Sequence, residues 1–145
     1  MVLKGLMTTS IDRLDPSSTV MEACRVMDRK KVGAVVVVED HKLCGILTHQ
    51  DLVERVMLAK RDPETTPVRD VMTREVVALT DEHSYGDALK LMVKHDYTYL
   101  PVVDDAGSLC GMVSLRDLLG HRIEDLAWQL DSVTRYFSAN GIGGD

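Results

Sequence analysis

The chain has 145 residues, 45% of them hydrophobic, and a formal net charge of −6. That length holds one compact domain or two very small ones, and the apolar share is too high for a disordered chain. The acidic balance, with no basic patch among aromatics, argues against tracking of a nucleic-acid backbone. The longest purely apolar run, Ala34 to Val38, is far too short to span a bilayer. No signal-peptide-like apolar region follows Met1, so the expectation is a cytoplasmic protein without membrane attachment.

In chain order, a short lead segment, Ile11 to Leu14, precedes a helix predicted over 19–30, where Val20, Cys24 and Met27 recur at helical spacing. The β-branched run Val35 to Val38 predicts a strand, the turn Glu39 to Lys42 reverses the chain, and Leu43 to Leu47 returns as its hairpin partner. A second helix is expected to start near 49. Lys60 to Val68 is polar and holds two prolines, and is expected to join the halves without adding structure. The order then recurs: lead segment Val76 to Leu79, a helix over 84–95, strand Leu100 to Val103, turn Asp104 to Ser108, strand Leu109 to Val113 and a helix from near 115. That last helix is expected to run to about 139. Leu118, Leu119, Ile123, Leu126, Ala127, Leu130, Val133 and Phe137 form an apolar stripe on it, to be covered by its own domain or by a second subunit. The Gly-rich end, Asn140 to Asp145, is expected to fray.

The recurrence is a duplication. Met7-Thr8 returns as Met72-Thr73, 65 positions later, and the same offset pairs Leu14 with Leu79, Ala23 with Ala88, Met27 with Met92 and Val37 with Val102. One residue enters around Asp105-Ala106-Gly107, and an offset of 66 then pairs Leu43-Cys44-Gly45 with Leu109-Cys110-Gly111 and Asp51-Leu52 with Asp117-Leu118. The shift falls in a turn, where an insertion costs least. The boundaries read from this are a first unit over 5–60, a linker over 61–69, a second unit over 70–122, and a C-terminal helix and tail over 123–145.

After each hairpin the chain reads Gly-apolar-apolar-Ser/Thr-x-x-Asp, at Gly45 to Asp51 and Gly111 to Asp117. Ser/Thr-x-x-Asp/Glu is also a helix capping box, and the chain uses the same pattern at Thr19 to Glu22 and Ser84 to Asp87. Placement at a strand-to-helix junction adds a functional reading. A helix start offers free amides and a positive dipole end to a phosphate, the cap hydroxyl adds a hydrogen bond, and a carboxylate one turn in suits ribose hydroxyls. The glycine in front lets a ligand or a neighbouring backbone come close.

These residues resemble a tandem pair of cystathionine-β-synthase (CBS) domains, a Bateman module. The resemblance runs from about 5 to 122 and rests on the Met-Thr lead-ins, Val-Gly-Ala-Val-Val-Val-Val at 32–38, Tyr-Leu-Pro-Val-Val-Asp at 99–104, and both Gly-x-x-Ser/Thr-x-x-Asp segments. It implies an α/β (α+β) fold of two pseudo-symmetric units, each a small sheet with two flanking helices, plus a C-terminal helical extension. It further implies that Ser/Thr contacts phosphate and Asp contacts ribose, with AMP, ADP, ATP or S-adenosylmethionine held in clefts between the copies. Carried over residue by residue, the site comprises Ser114, Asp117, Arg116 and Gly111, with Tyr97, Tyr99, Leu100 and Pro101 beside the second pocket, and Thr48, Asp51, Gly45, Val35 and Val36 in the first copy. The first copy departs from the family pattern at Gln50, where Arg116 matches it, and at Val35-Val36 in place of Leu100-Pro101. The cleft of Ser114 and Asp117 is therefore expected to be the tighter one.

The resemblance also implies a homodimer with the C-terminal helix at or near its interface. No fused effector is read, so output would pass to an unidentified partner protein. The alternative is a ligand-independent dimeric scaffold or interaction module whose capping boxes only cap. No catalytic residue or cofactor is expected: no Walker or Rossmann glycine loop occurs, and His83, His95 and His121 are scattered. His41-x-x-Cys44 has metal-like spacing, but Gly107 replaces the histidine in the second copy, so no metal is expected. Cys24, Cys44 and Cys110 sit among apolar neighbours, and an odd number fits no simple disulfide framework.

Overall fold

The computed structural model describes residues 3–139. The expected fraying of Asn140 to Asp145 lies outside the described residues, as do the side chains of Val133 and Phe137.

The first copy runs β1 (Arg13–Leu14), α1 (Val20–Lys30), β2 (Ala34–Glu39), β3 (Lys42–Thr48) and a short α2 (His49–Asp51) that continues as a π-helical stretch, Leu52–Met57. The second runs α3 (Tyr85–His95), β4 (Tyr99–Val103), β5 (Leu109–Ser114) and α4 (Leu115–Ala139). The chain is thus the expected α+β pair of units, with a helical extension at its end.

Local chemistry sets these limits twice over. Thr19 and Glu22 close a full capping box at the start of α1, and Ser84 and Asp87 do so for α3. Both helices end on a left-handed residue, Lys31 and Asp96, which stand 65 positions apart. The next amide in each case, from Val32 or Tyr97, returns to the carbonyl of Met27 or Met92, so the orphan carbonyls at both helix ends are satisfied alike. Both hairpins carry the same bulge, between Val37 and Val38 and between Val102 and Val103. The tips differ as the insertion requires. Asp40 and His41 both take positive φ in a two-residue turn, whereas the longer tip bends at Gly107, φ 83°, around Asp104, whose side chain accepts the Ala106 and Ser108 amides.

What joins the copies is an exchange of lead segments. Thr8 of the first copy forms an antiparallel bridge to Met112 in β5, and Thr73 of the second forms one to Ile46 in β3. Each chain then returns to its own unit, through Arg13–Leu14 beside β2 and through a parallel bridge from Leu79 to Val102. The hairpin tips also meet, where Lys42 bridges Ser108.

Alternation along β2 divides its side chains between two cores. Val35 and Val37 join Val20, Ala23 and Met27 of α1, a cluster that also takes in Val71 and Met72 from the second lead segment. Ala34 and Val36 face Ile46, Leu109 and Met112 in a smaller core between the copies. The second copy closes over Leu79, Met92, Leu100, Val102, Val113 and Leu118, with Leu3 from the N-terminus. Each unit alone is too small to bury a comfortable core, and the exchange supplies the missing surface.

The linker is more structured than its composition suggests. Thr66 is buried, its carbonyl accepts the Val20 amide, Pro63 accepts the Met21 amide, and Val68 donates to Ser18. The orphan amides at the start of α1 need partners; the chain turns at Pro63, and Pro67, in extended backbone, bridges Thr19 beside them.

Candidate functional site

Two clefts flank the core between the copies, each of a size that suits a small ligand. One, of about 390 Å³, is lined by Ser114, Arg116 and Asp117 from the β5–α4 junction, by Thr8 and Ser10 to Asp12 from the first lead segment, and by Val35 and Val36 of β2. The other, of about 410 Å³, is lined by Thr48, His49 and Gln50 from the β3–α2 junction, by Val76 and Val77, and by Tyr97 to Pro101. Tyr99 and Ala34 border both.

The exchange of lead segments therefore crosses the expected partnerships. Tyr97, Leu100 and Pro101, placed from sequence beside Ser114, line the Thr48 cleft, while Val35 and Val36 line the Ser114 cleft. Ala34, Val36 and Tyr99 lie on strand faces turned from their own helices and point at the other copy, while Val35 and Leu100 belong to the core of their own unit; each cleft thus pairs the cap of one unit with the first hairpin strand of the other. The sequence reading missed Thr8, Ser10, Lys30 and Lys31 in the Ser114 cleft, and His95 and Asp96 in the Thr48 cleft. Lys30-Lys31 and His95-Asp96 are matching positions of the repeat, which is the signal that could have found them.

Gly45 and Gly111 line neither cleft. A Cβ at Gly45 would stand 2.3 Å from Met72 Sδ, and one at Gly111 2.7 Å from Met7 Sδ and 3.0 Å from the Thr8 carbonyl oxygen. Their close neighbours are the exchanged Met-Thr segments, which a Cβ would displace.

The helix starts offer fewer free amides than a bare terminus. His49 N–H donates to the Gly33 carbonyl and Leu115 N–H to that of Thr98, while Asp51 N–H and Asp117 N–H donate to the hydroxyls of Thr48 and Ser114. Among the first three amides of α4, that of Arg116 is left uncommitted by the described hydrogen bonds.

The two motif carboxylates stand in opposite environments. Asp51 is 5% exposed and turned away from its cleft. It accepts the Thr48 amide at 3.0 Å and the Thr73 hydroxyl at 3.0 and 3.2 Å, and Arg55 Nε lies 3.8 Å away. Arg55 also donates to the Val71 and Met72 carbonyls, at 3.3 and 2.8 Å. The arrangement fastens the second lead segment to the first unit. Asp117 is exposed and lines its cleft, and no described residue bonds or pairs with its carboxylate. Thr8, the counterpart of Thr73, lines the same cleft instead of closing on Asp117.

Arg116 is exposed on the rim of the Ser114 cleft, and its counterpart Gln50 is engaged by Glu54. The thiols of Cys24 and Cys44 are raised above their ordinary value by burial, which makes them poor nucleophiles. Among the described residues no group of His, Cys, Asp and Glu could hold a metal ion, and no helix is long and apolar enough to cross a membrane.

Comparison with known proteins gives a consistent result. The CBS domain profile matches residues 3–58 and again 68–124. The CBS domain-containing protein YhcV of Bacillus subtilis is 40% identical over 116 residues, spanning 80% of this chain and 81% of its own length. A putative signal-transduction protein with CBS domains from Burkholderia ambifaria superposes with a TM-score of 0.74 at 32% identity, covering 81% of this chain and 85% of its own. The cytosolic domain of the Mg2+ channel MgtE, solved in complex with ATP, gives 0.68 at 30% identity, over 82% of this chain and 48% of that one.

Proposed function

This chain belongs to the CBS domain family, and we propose that it is a non-enzymatic regulatory module that binds an adenosine ligand in the Ser114 cleft and relays occupancy to a partner protein. The observation that carries the reading is the Asp117 carboxylate, unpartnered among the described residues and held beside Ser114 and Arg116 at the mouth of a cleft lined by Val35 and Val36. A free carboxylate accepts from both ribose hydroxyls, the Ser114 hydroxyl and the Arg116 amide and guanidinium suit a phosphate, and the apolar strand suits the purine. AMP, ADP, ATP and S-adenosylmethionine share the adenosine part that this set would recognise, and the ATP complex of the MgtE domain supports that choice.

Relay requires two arrangements that the ligand tells apart. The Ser114 cleft is built from both copies, so occupancy favours one relative setting of the units. On α4, Leu119, Ile123, Leu126 and Leu130 stay 45–68% exposed on the expected stripe, and Trp128 is 69% exposed. We assign this stripe to a homodimer interface, through which the setting of the units would reach a partner.

Calorimetric titration with AMP and 2′-deoxy-AMP tests the site. Tight AMP binding, weakened about tenfold by loss of the 2′-hydroxyl or by Asp117→Ala, is expected. Undiminished binding of the deoxy compound would remove Asp117 from the ligand contacts. Absence of binding by any adenosine compound would leave the scaffold reading.

A further inference from the structure

The two clefts occupy matching positions of the duplication yet differ in charge. Where the Ser114 cleft presents Lys30, Lys31 and Arg116, the Thr48 cleft presents His95, Asp96 and Gln50. We propose that the Ser114 cleft selects adenosine ligands bearing a di- or triphosphate, and that the Thr48 cleft rejects them. This rests on the adenosine reading above and adds the charge class of the ligand for each cleft.

Lys30 and Lys31 lie where α1 ends, and the left-handed turn at Lys31 brings this end to the rim of a cleft whose other wall is the start of α4. The two lysines thus come from one copy, and Arg116 and the cap hydroxyl from the other. Neither lysine is locked elsewhere. Lys31 meets Asp28 at 3.0 Å with both side chains at least 80% exposed, and Lys30 lies 3.8 Å from Asp12 with 51% exposure. Exposed pairs of this kind are weak, so a multiply charged phosphate can draw either ammonium away.

The carboxylates must be counted too. Asp12 and Asp117 line the Ser114 cleft, leaving three cations against two carboxylates, and Asp12 is also shared with Arg29 at 3.6 Å. The Thr48 cleft holds the Asp96 carboxylate and no lysine or arginine. Its motif carboxylate is also withheld, because Asp51 is engaged by the Thr48 N–H and the Thr73 hydroxyl. A triphosphate therefore meets two lysines and an arginine in one cleft, and in the other a carboxylate with only the imidazoles of His49 and His95.

The test is calorimetry on the full chain with adenosine, AMP, ADP, ATP and inorganic tripolyphosphate. Affinity is expected to climb from adenosine to ATP by about tenfold or more, with one ATP per chain and a steep fall with added salt. The double variant Lys30→Met, Lys31→Met should lose most of ATP's advantage over adenosine, and both sites are exposed enough for the fold to persist. The triple variant Gln50→Arg, His95→Lys, Asp96→Lys should raise the ATP count to two per chain. ATP binding no tighter than adenosine, or an advantage untouched by the lysine variant, overturns the proposal while the adenosine reading stands. Tripolyphosphate binding that depends on the lysines, with no adenosine binding, upholds the charge assignment and overturns the adenosine reading. If neither probe binds, both fall.

Discussion

The two copies follow the same path, yet their motif aspartates do opposite work. Asp51 is sealed by Thr48, Thr73 and Arg55, whereas Asp117 faces a cleft with its carboxylate unpartnered among the described residues. The four-residue motif does not decide the matter, because both copies carry it. The exchanged lead segment decides it: Thr73 lands on Asp51, and Thr8 lands in the open cleft beside Asp117. One copy has turned the motif into a fastener, and the other has left its carboxylate facing the cleft.

Substituting the two aspartates breaks this comparison most directly. Asp51→Ala should cost about 2–3 kcal/mol in chemical denaturation, since it strands the Thr73 hydroxyl and the Thr48 amide in a nearly buried place. Asp117→Ala should cost under about 1 kcal/mol, because its exposed carboxylate bonds to no described residue. Equal losses at the two sites would refute the division of labour.

The glycines under the exchanged segments test the same asymmetry through packing. Gly45→Val and Gly111→Val should each cost about 1–3 kcal/mol by overpacking. The loss should be larger at Gly111, where the crowding includes the Thr8 carbonyl, which cannot swing aside as the Met72 side chain can. Gly111→Val should also weaken ligand binding, because it displaces Thr8 from the Ser114 cleft. A larger loss at Gly45 would place the tighter crossing in the wrong copy.

The smallest effect concerns acid. The carboxyl of Asp87 is held below its ordinary value of 3.8 by the backbone hydrogen bond from Ser84 and then by the Ser84 side chain. In the first copy, Asp15 is lowered first by the Ser17 hydroxyl and then by the Ser17 amide. A carboxyl lowered in the folded state adds stability above 3.8, and that gain fades as pH falls below 3.8 through the folded value. Denaturation followed across that range should show a shallower acid decline for Asp87→Asn and for Asp15→Asn. An unchanged decline would mean that these turns hold their carboxyls no more firmly than the unfolded chain does.

Much of this was legible in the residues. Helix limits followed from capping boxes at Thr19 and Ser84, strands from β-branched runs, and the hairpin insertion from the one-residue change of offset at the second turn. These are local matters, fixed by hydrogen bonds and periodicities within a few positions. The linker misled because its polar, proline-bearing composition hides the carbonyls of Pro63 and Thr66 that receive the first amides of α1.

By itself, then, the sequence determined the duplication, the order of elements and the family, since each depends on patterns along one stretch of chain. Only the tertiary structure decided which wall faces which cap, that Gly45 and Gly111 serve packing, and that Asp51 is closed while Asp117 is open. The reason is the crossing of the lead segments. It brings residues some 65 positions apart into contact, as with Thr8 on β5 and Thr73 on β3, and a motif read within one copy carries no record of what the other copy lays upon it.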